Sequence, residues 1–370
     1  MKNLKQTAQE ILDLAGIQIN GKNPWDIIVH DNRLYNRVLA QGSLGLGESY
    51  MDGWWDCKAL DEFFNKLLRA ELDKKVRGRK ILWEVLKAKL INFQSKSRAY
   101  EVGEKHYDIG NELYKNMLDK RLVYTCGYWK NAKTLDQAQE AKLDLTCRKL
   151  NLKPGMKILD IGCGWGSFAK YAAEKYKVKV IGITISKEQV ELGKKLCKGL
   201  PVEIRLQDYR KVNEKFDRIV SLGMFEHVGP KNYKIFMRVV EKCLKDDGLF
   251  LLHTIGGNKS VKTTDRWINK YIFPNGVLPS AKQIAKASEG IFVLEDWHNF
   301  GTDYDKTLIA WYNKVNKNWY KLEKKYNKRF KRMWDYYLLC CAGGFRAQKN
   351  RLWQIVFSKG NLKKRYDSIR

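Results

Sequence analysis

The stretch MKILDIGCGWGSFAKYAAEKY, residues 156–176, decides the fold. Ile158–Ile161 is a short run closed by Gly162, the composition of a buried strand. Gly162, Gly164 and Gly166 form a turn, and SFAKYAAEKY reads as a helix. Glycine is required in such a turn where a Cβ would obstruct something passing close to the backbone. Working outward, the pattern repeats. VKVIGITIS (178–186) is a second strand and SKEQVELGKKLCKGL (186–200) its helix. VEIRLQDY (202–209), FDRIVSLGMFEHVG (216–229) and GLFLLHTIG (248–256) carry a third, fourth and fifth strand. Strands alternating with helices predict an α/β, doubly wound, mostly parallel sheet. Its ligand belongs at the carboxyl ends of the strands, near the first turn.

Upstream, residues 1–95 read as a small helical domain. LKQTAQEILDLAG places Leu4, Ala8, Ile11, Leu12 and Ala15 at helical spacing, with Gly16 as the stop. QGSLGLGESYMDGWW (41–55) reads as a glycine-punctuated turn region. LDEFFNKLLRAEL (60–72) is an amphipathic helix running into the basic KKVRGRK (74–80). Residues 90–104 are a linker, and 105–370 a second domain. Within that domain, DRWINKYIFPNGVLPS (265–280) is the centre of an aromatic lid over residues 260–305. WYNKVNKNWYKLEKKYNKRFKRMW (311–334) has an apolar face at Trp311, Val315, Trp319, Leu322, Tyr326, Phe330 and Met333 on an otherwise basic helix.

Charge narrows the partners. The chain has 370 residues and a net charge of +29, and residues 306–370 hold 18 Lys and Arg against 3 Asp and Glu. A polyanionic partner follows: an anionic membrane surface or a nucleic acid. No apolar run is long enough to span a bilayer. The N-terminus lacks an apolar signal core, so a cytoplasmic location is expected. The 8 cysteines include no CxxC pair, which speaks against structural zinc and a disulfide framework. No metal is expected.

The turn DIGCGWG resembles the first loop of Rossmann-type nucleotide binders, without the Lys-Ser/Thr of a phosphate-binding loop. Ten segments in order widen the resemblance: GSLGLGESYMDGWWD, HYDIGNELYKNMLD, YTCGYW, LDIGCGWGSFA, GITISKEQ, MFEHVG, LLHTIG, YIFPNG, DYDKTL and LLCCAGGFR. Through them the chain resembles the cyclopropane-fatty-acyl-phospholipid synthase family of Rossmann-like class I S-adenosylmethionine methyltransferases. The resemblance implies S-adenosylmethionine as cofactor. Its site would be Tyr124, Ile158, Leu159, Asp160, Ile161, Gly162, Cys163, Gly164, Trp165, Gly166, Thr184, Ile185, Ser186, Gln189, Asp208 and Tyr209. No carboxylate ends the second strand to hold ribose, so Thr184 and Gln189 would take over those contacts.

The implied activity is transfer of a methylene across the cis double bond of an unsaturated phospholipid chain. The N-terminal domain resembles the lipid-handling addition of members acting on phospholipid. The resemblance also implies a bicarbonate base caged by Cys126, Glu226, His253, Ile255 and Tyr304. His253 and Tyr304 can donate to its oxygens, and Glu226 can accept a hydrogen bond from its hydroxyl. Tyr124, Tyr128, Trp129, Phe225, Trp267 and Tyr304 are candidates to stabilise a carbocation by their faces. Cys341 is a further candidate, although the reaction needs no thiol nucleophile. Asn275 stands where many members carry glycine. A peripheral protein on the inner membrane face is expected, with a homodimer left open and no nucleic-acid partner. Two alternatives remain at this level: a methyltransferase giving a branched or hydroxylated chain, and a basic RNA-binding methyltransferase.

Overall fold

A computed structural model describes residues 2–72 and 110–370. Two compact units emerge. One comprises Met1–Met117, Thr264–Pro274 and Leu308–Lys349; the other comprises Leu118–Thr263, Asn275–Thr307 and Asn350–Arg370. The basic run at 74–80 and the linker at 90–104 lie outside the described residues.

The first unit contains the helices Lys2–Asp13, Arg33–Gln41, Ser43–Met51 and Leu60–Arg69, and a two-stranded sheet, β1 (Ile28–Val29) with β2 (Trp55–Asp56). The turn expected at 41–55 is instead largely the helix Ser43–Met51. Its glycines serve close approach rather than turning. A Cβ on Gly45 would meet the Arg37 carbonyl oxygen at 2.4 Å, and one on Gly47 the Trp267 ring at 2.3 Å. The 311–334 segment is not one helix. Thr302–Lys317 ends before a turn, and Lys328–Arg346 starts afresh with Asn327 capping the Phe330 N–H at 2.8 Å. Trp311, Val315, Leu322, Tyr326 and Met333 are all buried, so most of that apolar face is core.

The second unit is built on a seven-stranded sheet. In chain order its strands are β3 (Lys157–Ile161), β4 (Lys179–Thr184), β5 (Val202–Leu206), β6 (Phe216–Leu222), β7 (Leu244–Gly256), β8 (Val293–Asn299) and β9 (Arg351–Ser358). Their order in space is β5-β4-β3-β6-β7-β9-β8. The five strands read from the sequence pair in parallel, and β9 runs antiparallel between β7 and β8. Alternation splits the apolar residues between two faces. Ile158, Val180, Val220 and Leu251 join Leu143 and Phe168 in one core. Leu159, Ile181, Ile219 and Phe250 join Phe236 and Val240 in the other. Both faces are thus covered, as a parallel sheet requires.

Candidate functional site

The glycine turn stands at the carboxyl end of β3. Gly162, Gly164 and Gly166 all have positive φ, of 81°, 56° and 82°, a region costly for residues with a Cβ. A Cβ on Gly162 would strike the Met224 side chain at 2.6 Å, whereas one on Gly164 would meet nothing within 4 Å. Gly166 then N-caps the helix Ser167–Tyr176. Gly162 and Cys163 anchor the loop by donating to the Ile183 carbonyl at 2.9 and 3.1 Å. Ile158, Leu159 and Ile161 are core, while Cys163 and Trp165 are buried loop residues.

Asp160 is the polar exception in that strand. It is buried, and its Oδ2 has no hydrogen-bond partner. Burial pushes its pKa up to about 7 against the opposing pull of the Lys142 ammonium. An unmatched acceptor beside an open glycine backbone suits a ligand that brings an ammonium donor on a nucleoside-sized body. These residues fit S-adenosylmethionine.

Beyond β4, the Thr184 hydroxyl donates to Gln189 Oε1 at 2.6 Å and accepts from the Ser186 N–H at 3.2 Å. Ser186 in turn caps the next helix at the Gln189 N–H. Ile185 is 81% exposed, an apolar surface at the carboxyl edge of the sheet. After β5, Asp208 is clasped by Arg210 through Nε at 2.9 Å and Nη2 at 2.7 Å. That pairing lowers the Asp208 pKa. Tyr209 packs its edge on Phe236 at 5.3 Å. Arg210 was not anticipated. Its proximity in sequence to Asp208 was the signal available.

The YTCGYW loop (124–129) is pinned by residues from DYDKTL. Thr307 Oγ1 accepts from the Gly127 N–H at 3.1 Å and from Trp129 Nε1 at 2.9 Å. Asp303 accepts the Trp129 N–H at 2.7 Å. Cys126 is wholly buried, donates its thiol to the Gly127 carbonyl at 3.1 Å, and has its pKa raised by burial. It is a neutral packing thiol. Tyr304, on the same helix as Thr307, is also buried.

Glu226 and His253 end neighbouring strands. Glu226 sits in a short turn after β6, and His253 lies in β7, paired with Leu222. Glu226 Oε1 accepts the Ile255 N–H at 2.7 Å. Ile255, a member of the expected bicarbonate cage, thus gives its N–H to Glu226. Glu226 Oε2 and His253 Nε2 are both buried without a hydrogen-bond partner. Burial pushes the Glu226 pKa up to about 7. Burial, reinforced by the charges of Lys142 and Lys149, drives the His253 pKa well down, so the ring is neutral.

Two aromatic candidates belong to cores. Phe225 stacks on Tyr233 with centroids 4.3 Å apart, under Phe236. Trp267 lies against Gly47 and Tyr336 in the first unit. Tyr128 remains beside Phe300, whose ring meets His253 at 5.9 Å. Cys341 is half-buried in the helix Lys328–Arg346 of the first unit, next to Cys340. Asn275 has φ 59°, which accounts for an asparagine at a turn that favours glycine.

Comparisons with known proteins agree with this fold. The family model described as mycolic acid cyclopropane synthetase matches residues 94–355. The chain is 56% identical over 359 residues to the cyclopropane-fatty-acyl-phospholipid synthase of Escherichia coli strain K12, covering 97% of this chain and 94% of that protein. The structure of the cyclopropane synthase MmaA2 from Mycobacterium tuberculosis superposes with a TM-score of 0.65 at 31% identity, covering 70% of this chain and 98% of that one. The mycolic acid cyclopropane synthase CmaA1 complexed with SAH and CTAB gives 0.64 at 31% identity, covering 69% and 96%.

Proposed function

Because the chain belongs to the mycolic acid cyclopropane synthetase family, we propose that it converts the cis double bond of an unsaturated phospholipid acyl chain into a cyclopropane, using S-adenosylmethionine, with bicarbonate as the base. One observation carries the reading. An unpaired carboxylate oxygen, Glu226 Oε2, and an unpaired imidazole nitrogen, His253 Nε2, are both buried at the ligand edge of the sheet. Buried polar atoms are nearly always satisfied, so two unmatched ones at adjacent strand ends mark a place built for a polar ligand.

S-adenosylmethionine supplies an electrophilic methyl group when bound. The glycine turn, Asp160, Thr184 and Gln189 would hold and orient it, with Asp208 and Tyr209 beside the third strand. Fixing donor and alkene in line is worth several orders of magnitude in rate. The acyl chain then carries positive charge, which the Tyr128 and Phe300 rings shield from water. Bicarbonate supplies a proton acceptor small enough to reach the new methyl. Glu226, His253 and Tyr304 would hold it, with backbone near Cys126. Ile255 acts one step back, by fixing Glu226 through its N–H. A positioned base of this kind contributes about 10²–10⁴-fold. The helical region within residues 1–95 is assigned to lipid handling, and the protein to the membrane surface. Among the described residues, no helix is long and apolar enough to cross a membrane.

The test is mass spectrometry of unsaturated phospholipid incubated with protein and methyl-labelled cofactor. The expected product gains one CH₂ per chain and loses its double bond. A product that gains CH₂ but keeps the double bond would overturn ring formation.

A further inference from the structure

The helix Leu135–Lys149 buries a polar stripe. Gln139, Lys142, Thr146 and Lys149 recur at helical spacing, and each is 0% exposed. Following Thr146 outward leads to His253. We infer that Gln354 and Thr146 are positioning residues that fix His253 in the tautomer with its proton on Nε2.

The register of the sheet sets the stage. Gln354 on β9 lies directly opposite His253 on β7 and opposite His298 on β8. Cross-strand partners share a face, so the three side chains stand abreast. The amide nitrogen of Gln354 carries two hydrogens. One goes to Thr146 Oγ1 at 3.1 Å, and the same nitrogen lies 3.5 Å from His253 Nδ1.

An amide can be turned end for end, so what holds its orientation decides the histidine. Thr146 gives its own hydroxyl proton to the Lys142 carbonyl at 2.8 Å. Its oxygen is thereby left as an acceptor toward Gln354, and the amide nitrogen must face it. That nitrogen then also faces His253 Nδ1, which has to offer a lone pair. A neutral imidazole with a lone pair on Nδ1 carries its proton on Nε2. The hydrogen-bond direction thus runs from a helix carbonyl, through threonine and glutamine, to a histidine that can only donate from Nε2. The next ring shows the same logic. Lys149 Nζ approaches His298 Nδ1 at 3.1 Å, and an ammonium has only hydrogens to give.

The consequence deepens the proposed function and rests on it. A His253 that presents N–H binds an anionic base and does not compete with it for the proton. The tautomer itself is independent of that reading.

Nitrogen-15 NMR of the full chain, labelled at histidine and recorded without lipid or bicarbonate, reads the tautomer directly. The expected spectrum shows His253 with a protonated Nε2 and an unprotonated Nδ1 at neutral pH. Gln354→Glu replaces the donor with acceptor oxygens and should move the proton to Nδ1. Its turnover should fall about 100-fold or more, with KM for cofactor and lipid within about twofold. Thr146→Val, close in shape, frees the amide to turn and should give a mixed tautomer signature and a smaller loss. Thr146→Ser should restore both. A wild-type His253 protonated on Nδ1, or a Gln354→Glu spectrum unchanged from wild type, would overturn the inference. Turnover indifferent to bicarbonate would sink the proposed base while leaving the tautomer signature in place, so the two failures are separable.

Discussion

Glu226 combines two properties that pull against each other. Its Oε1 is fixed by the Ile255 N–H, and its Oε2 is buried and unmatched. Burial raises its folded pKa to about 7, above the ordinary carboxyl value. A raised carboxyl pKa stabilises the fold fully below the unfolded pKa, and that contribution is lost as pH rises through about 7. Asp160 acts in the same direction. Unfolding of the cofactor-free protein by urea should therefore show stability falling between about pH 5 and pH 8. Glu226→Gln should flatten part of that slope and match or exceed wild type at the upper end. The same variant should lose turnover sharply while still binding cofactor. Calorimetric cofactor titration beside a turnover assay separates the two, and wild-type turnover would remove Glu226 from the mechanism. Glu226 and His253 stand out in the sequence through MFEHVG and LLHTIG, two of the segments that carry the family resemblance. Gln354 does not: it lies 101 residues beyond His253 on a strand read only in the structure. Thr146 and Lys142 were hidden differently, since polar residues at helical spacing look like a solvent face.

At the scale of elements, the sequence predicted the five parallel strands because each is a short apolar or alternating run closed by glycine or a polar turn. It did not predict β8 and β9. VLEDWHN mixes charge with apolar residues at the sheet edge, and RLWQIVFS follows a long helix with no crossover pattern. The glycines of 41–55 misled for a physical reason. Local propensity penalises glycine in a helix by about 1 kcal/mol relative to alanine, but here packing decides. The Trp267 indole occupies the space that a Gly47 side chain would fill, and its Nε1 reaches Met51 Sδ at 3.3 Å. Gly47→Ala would gain that propensity term yet overpack the ring. Overpacking costs about 1–3 kcal/mol, so the net change should be destabilising. Urea unfolding of Gly47→Ala measures it, and the same substitution made in a Trp267→Leu background should cost less. A more stable Gly47→Ala would show that the indole moves aside freely.

The whole molecule is dominated by its positive charge, which says nothing about the fold and much about where it works. Burial of Trp311, Val315, Leu322, Tyr326 and Met333 places most of that apolar face in the core, leaving little of it to enter a bilayer. Lys317, Lys321, Lys324, Lys325 and Lys328 on the same segment are exposed. Association with a membrane through this segment would then be electrostatic rather than insertional. Each basic residue near an anionic surface contributes about 1 kcal/mol at physiological salt, and the attraction decays over a Debye length. Raising ionic strength from about 0.1 M to 1 M shortens that length from about 10 Å to 3 Å. Co-sedimentation with phosphatidylglycerol-containing vesicles should consequently collapse over this range, and should be weak on purely zwitterionic vesicles at any salt. Replacing the five lysines by glutamine should mimic high salt while leaving turnover on detergent-dispersed phospholipid near wild type. Salt-resistant sedimentation would place apolar contacts at the surface instead, and preferential retention of RNA over vesicles would reassign the basic surface altogether.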